Sequence, residues 1–207
     1  MTDEASPEVL MRDWGLPLAG ELDRVVIVSP HLDDAVLGCA RFMSAHPGVT
    51  VMTVFGGNPP AYPEPMRPWD VRSGFAPGDD VMEARRKEDH AALSVLDATP
   101  VHLDFVEYTY NPGDRPVQPE AIAEGLAPAL GALDPTLVLA PFGLANPDHD
   151  VVHRACMLAR ERLGERVSWW CYEESQQPET QERRSGPSWW LYEDFGYKSI
   201  PGMLAWR

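Results

Sequence analysis

Ser29-Pro30-His31-Leu32-Asp33-Asp34-Ala35-Val36-Leu37-Gly38 is the stretch whose reading decides the fold. It follows Arg24-Val25-Val26-Ile27-Val28, a short apolar run rich in β-branched residues, which has the character of a buried strand. From Asp34 onward, Val36, Leu37, Ala40, Phe42 and Met43 fit a helix. One histidine and two aspartates therefore fall at a strand-to-helix turn. In an open α/β sheet, ligands bind in the crevice outside the carboxyl ends of the strands. Taken alone, His-x-Asp-Asp reads more simply as a helix cap beside a polar loop residue, since Asp before a helix is common.

A second stretch repeats the pattern. Thr136-Leu137-Val138-Leu139-Ala140-Pro141-Phe142 looks like another buried strand, and Asn146-Pro147-Asp148-His149-Asp150 follows as a polar turn. Val151, Val152, Ala155, Met157 and Leu158 then suit a helix from about 150 to 163. If the two strands are near neighbours in a parallel sheet, their turns converge. His31, Asp34 and His149 would then offer two nitrogens and one oxygen to a metal and leave a position open. That arrangement occurs at catalytic zinc and at non-haem iron, so the ligand set alone does not name the metal. His153, one helical turn beyond His149, is a fourth candidate ligand, but reads more simply as a solvent-facing or supporting histidine, since a catalytic zinc usually has three protein ligands.

Strand candidates at 24–30, 49–55, 101–106, 136–142 and 166–172, with another at 189–192, alternate with helices near 34–45, 80–97, 119–133 and 150–163. This alternation predicts an α/β, Rossmann-like, mostly parallel sheet with helices on both faces. Asp79 or Asp80 is placed to cap the second helix, and Pro119 suits the start of the third. The Gly- and Pro-rich loop 56–79 and the loop 108–118 leave strand carboxyl ends and are expected to wall an active site. Tyr108 and Tyr110 lie in the second of these. Ser168-Trp169-Trp170-Cys171-Tyr172 is echoed by Ser188-Trp189-Trp190-Leu191-Tyr192, which suggests two strands of a hairpin or an aromatic platform for a sugar ring or a subunit contact.

Four ordered blocks resemble the LmbE-like, or PIG-L, family of zinc-dependent N-deacetylases. Pro30-His31-Leu32-Asp33-Asp34-Ala35-Val36-Leu37-Gly38 resembles its signature, and Pro147-Asp148-His149 resembles its second metal motif, His-x-Asp-His. Between them, Pro68-Trp69-Asp70, Ser73-Gly74-Phe75 and Arg85 to Leu93 look like its middle segment, and Tyr172-Glu173-Glu174 is similar to a later Tyr-Glu-Asp element. The resemblance implies Zn2+ as cofactor and Asp33 as an unligated general base. Its substrate would be a small N-acylated molecule, most simply an N-acetylglucosamine-type sugar conjugate. Other N-acyl amides, thiol conjugates and a non-catalytic metal-binding role stand as alternatives. The chain departs from the family at Asn146, where many relatives carry a histidine assigned as acid or oxyanion stabiliser, and this leaves the general acid unidentified. Arg72, Arg85 and Arg86 are candidate substrate-binding residues that would admit an anionic ligand, although Arg85 is also spaced to pair with Glu88. Trp69, Asn146, Asp148 and Tyr108 complete the substrate-side candidates.

Composition sets outer bounds. The 207 residues suit a single domain, 1–207, with its core at about 24–174 and an aromatic C-terminal extension at 175–207. Lys and Arg number 17 against 32 Asp and Glu, a net charge of −15 that argues against nucleic acid as partner. No apolar run is long enough for a membrane span, and the acidic start Met1-Thr2-Asp3-Glu4-Ala5 lacks a signal-peptide core. Cys39, Cys156 and Cys171 read as reduced core residues, consistent with the cytoplasm. The Trp-rich end suggests a homo-oligomer.

Overall fold

In the computed structural model, residues 22–173 are described except 112, 114 and 145, together with the backbone of 191–193 and 196–198. The run Val25–Ser29 forms β1, buried at every position. It is flanked by β2, Thr50–Thr53, and β4, Leu137–Pro141, and it runs parallel to both. β3, Thr99–His102, pairs parallel with β2, and β5, Ser168–Tyr172, pairs parallel with β4. β6, Leu191–Glu193, and β7, Gly196–Lys198, extend the sheet antiparallel, giving the order β3-β2-β1-β4-β5-β6-β7.

The β-strands of the parallel half are covered on both faces, which explains their unbroken apolar sequences. Val26, Val28, Val138 and Ala140 face one layer with Ile122, Leu126, Leu130, Val152 and Cys156, carried by α4, Pro119–Leu133, and α5, Pro147–Leu163. Val25, Ile27, Leu137 and Leu139 face the other with Ala35, Cys39, Phe42, Met43 and Leu93, carried by α1, Asp34–Ala45, and α3, Val81–Val95. Chain direction across the sheet reverses between β1 and β4: one leads through α1 to β2 and the other through α5 to β5. This is the switch point at which α/β sheets open a crevice.

Local boundaries differ from the sequence expectation at three places. β3 covers Thr99–His102 rather than 101–106, because the chain leaves the ladder after His102. Leu103 and Phe105 instead pack, half-buried, on the α4–α5 layer. The fifth helix begins at Pro147, not 150. Asn146 accepts a hydrogen bond from the Asp148 N–H at 2.9 Å and Pro147 supplies the first helical position, so the polar turn is itself the helix start. Within the loop 56–79, Pro68–Arg72 forms a short helix, α2. Asp80, as expected, caps α3, accepting from Glu83 N–H. The strand expected at 189–192 corresponds to β6, antiparallel to β5, while Trp189 and Trp190 lie outside the described residues.

Two glycines set how the first long loop leaves the sheet. A Cβ on Gly56 would lie 2.8 Å from that of His102, and one on Gly57 would lie 2.7 Å from the Asp104 carbonyl. The close approach allows Gly57 N–H to reach Phe105 O at 3.0 Å. Gly57→Ala is expected to cost roughly 1–3 kcal/mol of stability through forced backbone displacement, measured as a lowered urea midpoint at unchanged slope.

Candidate active site

Both motifs sit where the chain leaves the central strands. After β1, the Ser29 hydroxyl donates to His31 O at 2.6 Å and accepts from Ala35 N–H at 3.0 Å, so Ser29 rather than an aspartate side chain satisfies the start of α1. Asp33 occupies the N-cap position but makes no capping hydrogen bond, and its side chain stays solvent-exposed. Asp34 turns inward: its Oδ2 accepts from the His31 backbone N–H at 2.8 Å.

From β4, the chain turns at Gly143, with φ +88°, where a Cβ would lie 2.9 Å from that of His153. Leu144 O accepts from His149 Nδ1 at 2.9 Å. With its proton on Nδ1, a neutral His149 presents a lone pair at Nε2. His31 Nε2 lies 3.2 Å from Asp148 Oδ2. A proton on that nitrogen leaves His31 Nδ1 as the second lone pair. These atoms and Asp34 Oδ2 form a nearly equilateral triangle: His31 Nδ1 to Asp34 Oδ2 is 3.1 Å, His149 Nε2 to Asp34 Oδ2 is 3.2 Å, and His149 Nε2 to His31 Nδ1 is 3.3 Å. A tetrahedral cation with bonds of about 2.0–2.1 Å spaces its ligands by about 3.3 Å. Three electron pairs facing one another at that spacing fit a divalent cation.

The electrostatics agree. Burial opposes charge on the His31 imidazole, but its hydrogen bonds to Asp148 and Asp34 and the charges of Asp34 and Glu107 outweigh it and hold its pKa well above the usual histidine value. Burial likewise opposes ionisation of Asp34, yet His149 and His31 keep its carboxyl far below the usual range. The site demands positive charge. Asp33 behaves oppositely: the surrounding protein mass, and next the neighbouring Asp34 charge, push its carboxyl above the ordinary carboxylate value.

Behind His31, Asp148 is completely buried; its Oδ2 also accepts from Tyr108 N–H at 3.1 Å, while Oδ1 has no hydrogen-bond partner among the described residues. Asp148 therefore supports His31 from the interior. Tyr108 offers its backbone N–H here, and Asn146 is the helix cap described above. His153 donates from Nδ1 to Pro141 O at 2.9 Å. Trp69 is 44% exposed on α2, with the Arg72 guanidinium 5.3 Å above its ring.

The arginines differ from expectation. Arg85 Nη2 donates to Asp70 Oδ1 at 2.8 Å and Nη1 lies 3.7 Å from Glu107 Oε1, in place of the suggested helical pair with Glu88. Tyr110 also donates its hydroxyl to Asp70, at 2.9 Å to Oδ2. Glu107 Oε2 in turn lies 3.8 Å from His31 Nε2. Arg86 is taken up by Gly56 O, Asn58 Oδ1 and Glu83 Oε2 at 2.9, 2.9 and 3.1 Å. Glu107 and the inward role of Asp70 were not found by sequence reasoning; the only sequence signal for Glu107 is its place just after a strand's carboxyl end.

A three-donor, metal-ready centre at the switch point of a Rossmann-like sheet, with a free carboxylate beside it, defines the class. The GlcNAc-PI de-N-acetylase (PIG-L) family profile matches residues 26–160, and the chain belongs to this family. Among solved structures it is similar to the A40926 pseudoaglycone deacetylase, at 32% identity and a TM-score of 0.66 over 77% of this chain and 67% of that one. It is likewise similar to a triple-mutant deacetylase of the teicoplanin biosynthetic pathway, at 30% identity and a TM-score of 0.65 over 75% of this chain. The match spans 65% of that mutant's chain, just under two thirds. A zinc-inhibited form of teicoplanin deacetylase shares 28% identity at a TM-score of 0.65, over 75% of this chain and 68% of that one. No curated protein matches the sequence. No helix among the described residues is long and apolar enough to cross a membrane.

Replacing Asp148 by Ala removes the partner of His31 Nε2. Zinc affinity, read by competition with a chromogenic chelator, is expected to fall by about 10–100-fold while the circular dichroism spectrum is retained. Unchanged affinity would deny Asp148 this supporting part.

Proposed function

We propose that this chain is a zinc-dependent N-deacetylase that removes an acetyl group from the amide nitrogen of a small molecule, most simply an N-acetylglucosamine-type conjugate. The observation that carries the reading is the converging triangle of His31 Nδ1, Asp34 Oδ2 and His149 Nε2 with Asp33 unligated next to it. Those three residues would hold the metal. A divalent cation there would polarise an amide carbonyl and acidify a water.

The chain's own residues do the rest. Asp33, exposed and with a raised pKa, takes the proton from the attacking water as general base. Asn146 cannot give up a proton to the leaving amine, and its Oδ1 is engaged by the Asp148 N–H. Asp33 therefore returns the same proton to the amine nitrogen as the C–N bond breaks, releasing acetate. His149 is held by Leu144 O and His31 by Asp148, so both imidazoles are oriented before a ligand arrives. The three cysteines are buried and the composition suits a cytoplasmic enzyme.

Asp33→Ala is expected to keep a full zinc complement by mass spectrometry and lose about 10²–10⁴-fold in turnover. His149→Ala should instead lose the metal. Acetate release from N-acetylglucosamine conjugates, compared with longer acyl amides, tests the reaction. A full zinc complement in His149→Ala would refute the ligand assignment, and no acetate release from any conjugate would refute the deacetylase.

A further inference from the structure

We propose that this site selects against anionic substrates and takes an N-acyl molecule whose remainder is neutral or cationic. The inference rests on the hydrolytic reading above and names its substrate class. The arginines that sequence reasoning assigned to an anionic ligand are already occupied. Arg85, whose side chain is 19% exposed, is held between Asp70 and Glu107. Arg86 is held by Glu83 and two loop oxygens. Arg72 lies over Trp69 at the exposed surface, where solvent and salt screen its charge.

What remains around the metal-ready triangle is acidic. Asp34 supplies one of its corners. Asp148 is wholly buried behind His31, with one oxygen lacking a hydrogen-bond partner among the described residues, and Glu107 comes within 3.8 Å of the same ring. Asp33 stands at the exposed side. With Arg85 matched by Asp70, a divalent cation leaves these four carboxylates in excess. Desolvation of Asp148, and of Glu107, whose side chain is 17% exposed, keeps their fields from being fully screened. A carboxylate or phosphate brought to the mouth meets repulsion from these groups, while Arg85 and Arg86 are already held by protein oxygens. An ammonium group, including the amine product itself, does not.

The test compares three N-acetylglucosamine glycosides of matched size on the zinc-loaded enzyme: 2-carboxyethyl, 2-carbamoylethyl and 2-aminoethyl. At low ionic strength, kcat/KM for the carboxylate should lie at least about tenfold below that of the near-isosteric carboxamide. The gap should narrow in about 0.5 M sodium chloride. Glu107→Gln should raise the carboxylate's kcat/KM relative to the carboxamide's. Equal rates, or preference for the anion, would overturn the proposal.

A second readout separates this claim from the reaction. Acetohydroxamic acid and succinic monohydroxamate are titrated calorimetrically into the same zinc-loaded protein, and the anionic probe is expected to bind at least about tenfold more weakly. If none of the glycosides is deacetylated, the hydrolytic reading falls and this pair alone decides the charge preference. Equal hydroxamate affinities would overturn it.

Discussion

Three lone pairs held about a tetrahedral edge apart, with no proton required between them, are the constraint around which this site is organised. Atoms that repel one another at rest converge only when the surrounding scaffold leaves them no alternative. Here each is restrained from behind: His149 by the Leu144 carbonyl, His31 by Asp148, and Asp34 by the backbone of residue 31 itself. Those supports depend on others. Asp148 is tied to the loop after β3 by Tyr108, and Leu144 follows a left-handed glycine pressed against His153. Burying several carboxylates without a compensating cation is costly. The acidic surroundings that hold the His31 pKa above the ordinary histidine value favour positive charge at this position.

Much of the fold was readable because its central strands are covered on both faces. Val25–Ser29 and Leu137–Pro141 therefore appear as continuous apolar runs, each followed at once by polar residues and a helix. The misread boundaries have local causes. Leu103 and Phe105 kept an apolar pattern going beyond β3, although they pack on the helices and not in the ladder. Asn146-Pro147 carries both turn and helix-start chemistry, and only the cap hydrogen bond decides between them.

The site divided along a similar line. His31, Asp34 and His149 stand in two compact motifs at predictable strand ends, so their meeting followed from topology. The relations of Arg85 did not. Whether a guanidinium faces a ligand or a carboxylate depends on partners contributed by separate loops, Asp70 on α2 and Glu107 beyond β3. No spacing in the sequence records that choice. The segment from 174 to 190, with its repeated tryptophans, lies outside what the described residues explain.

The order of the strands has a consequence for how the protein is made. β1 and β4 are adjacent in the sheet, yet His31 and His149 are separated by 118 positions along the chain. During synthesis the first pair of donors emerges long before its companion, as an incomplete chelate with little hold on any ion. Contacts between such distant segments come late and slow folding. A metal taken up by the proposed site once β4 has docked would bind the native state alone and so draw the equilibrium toward it, a clasp across the two halves of the molecule.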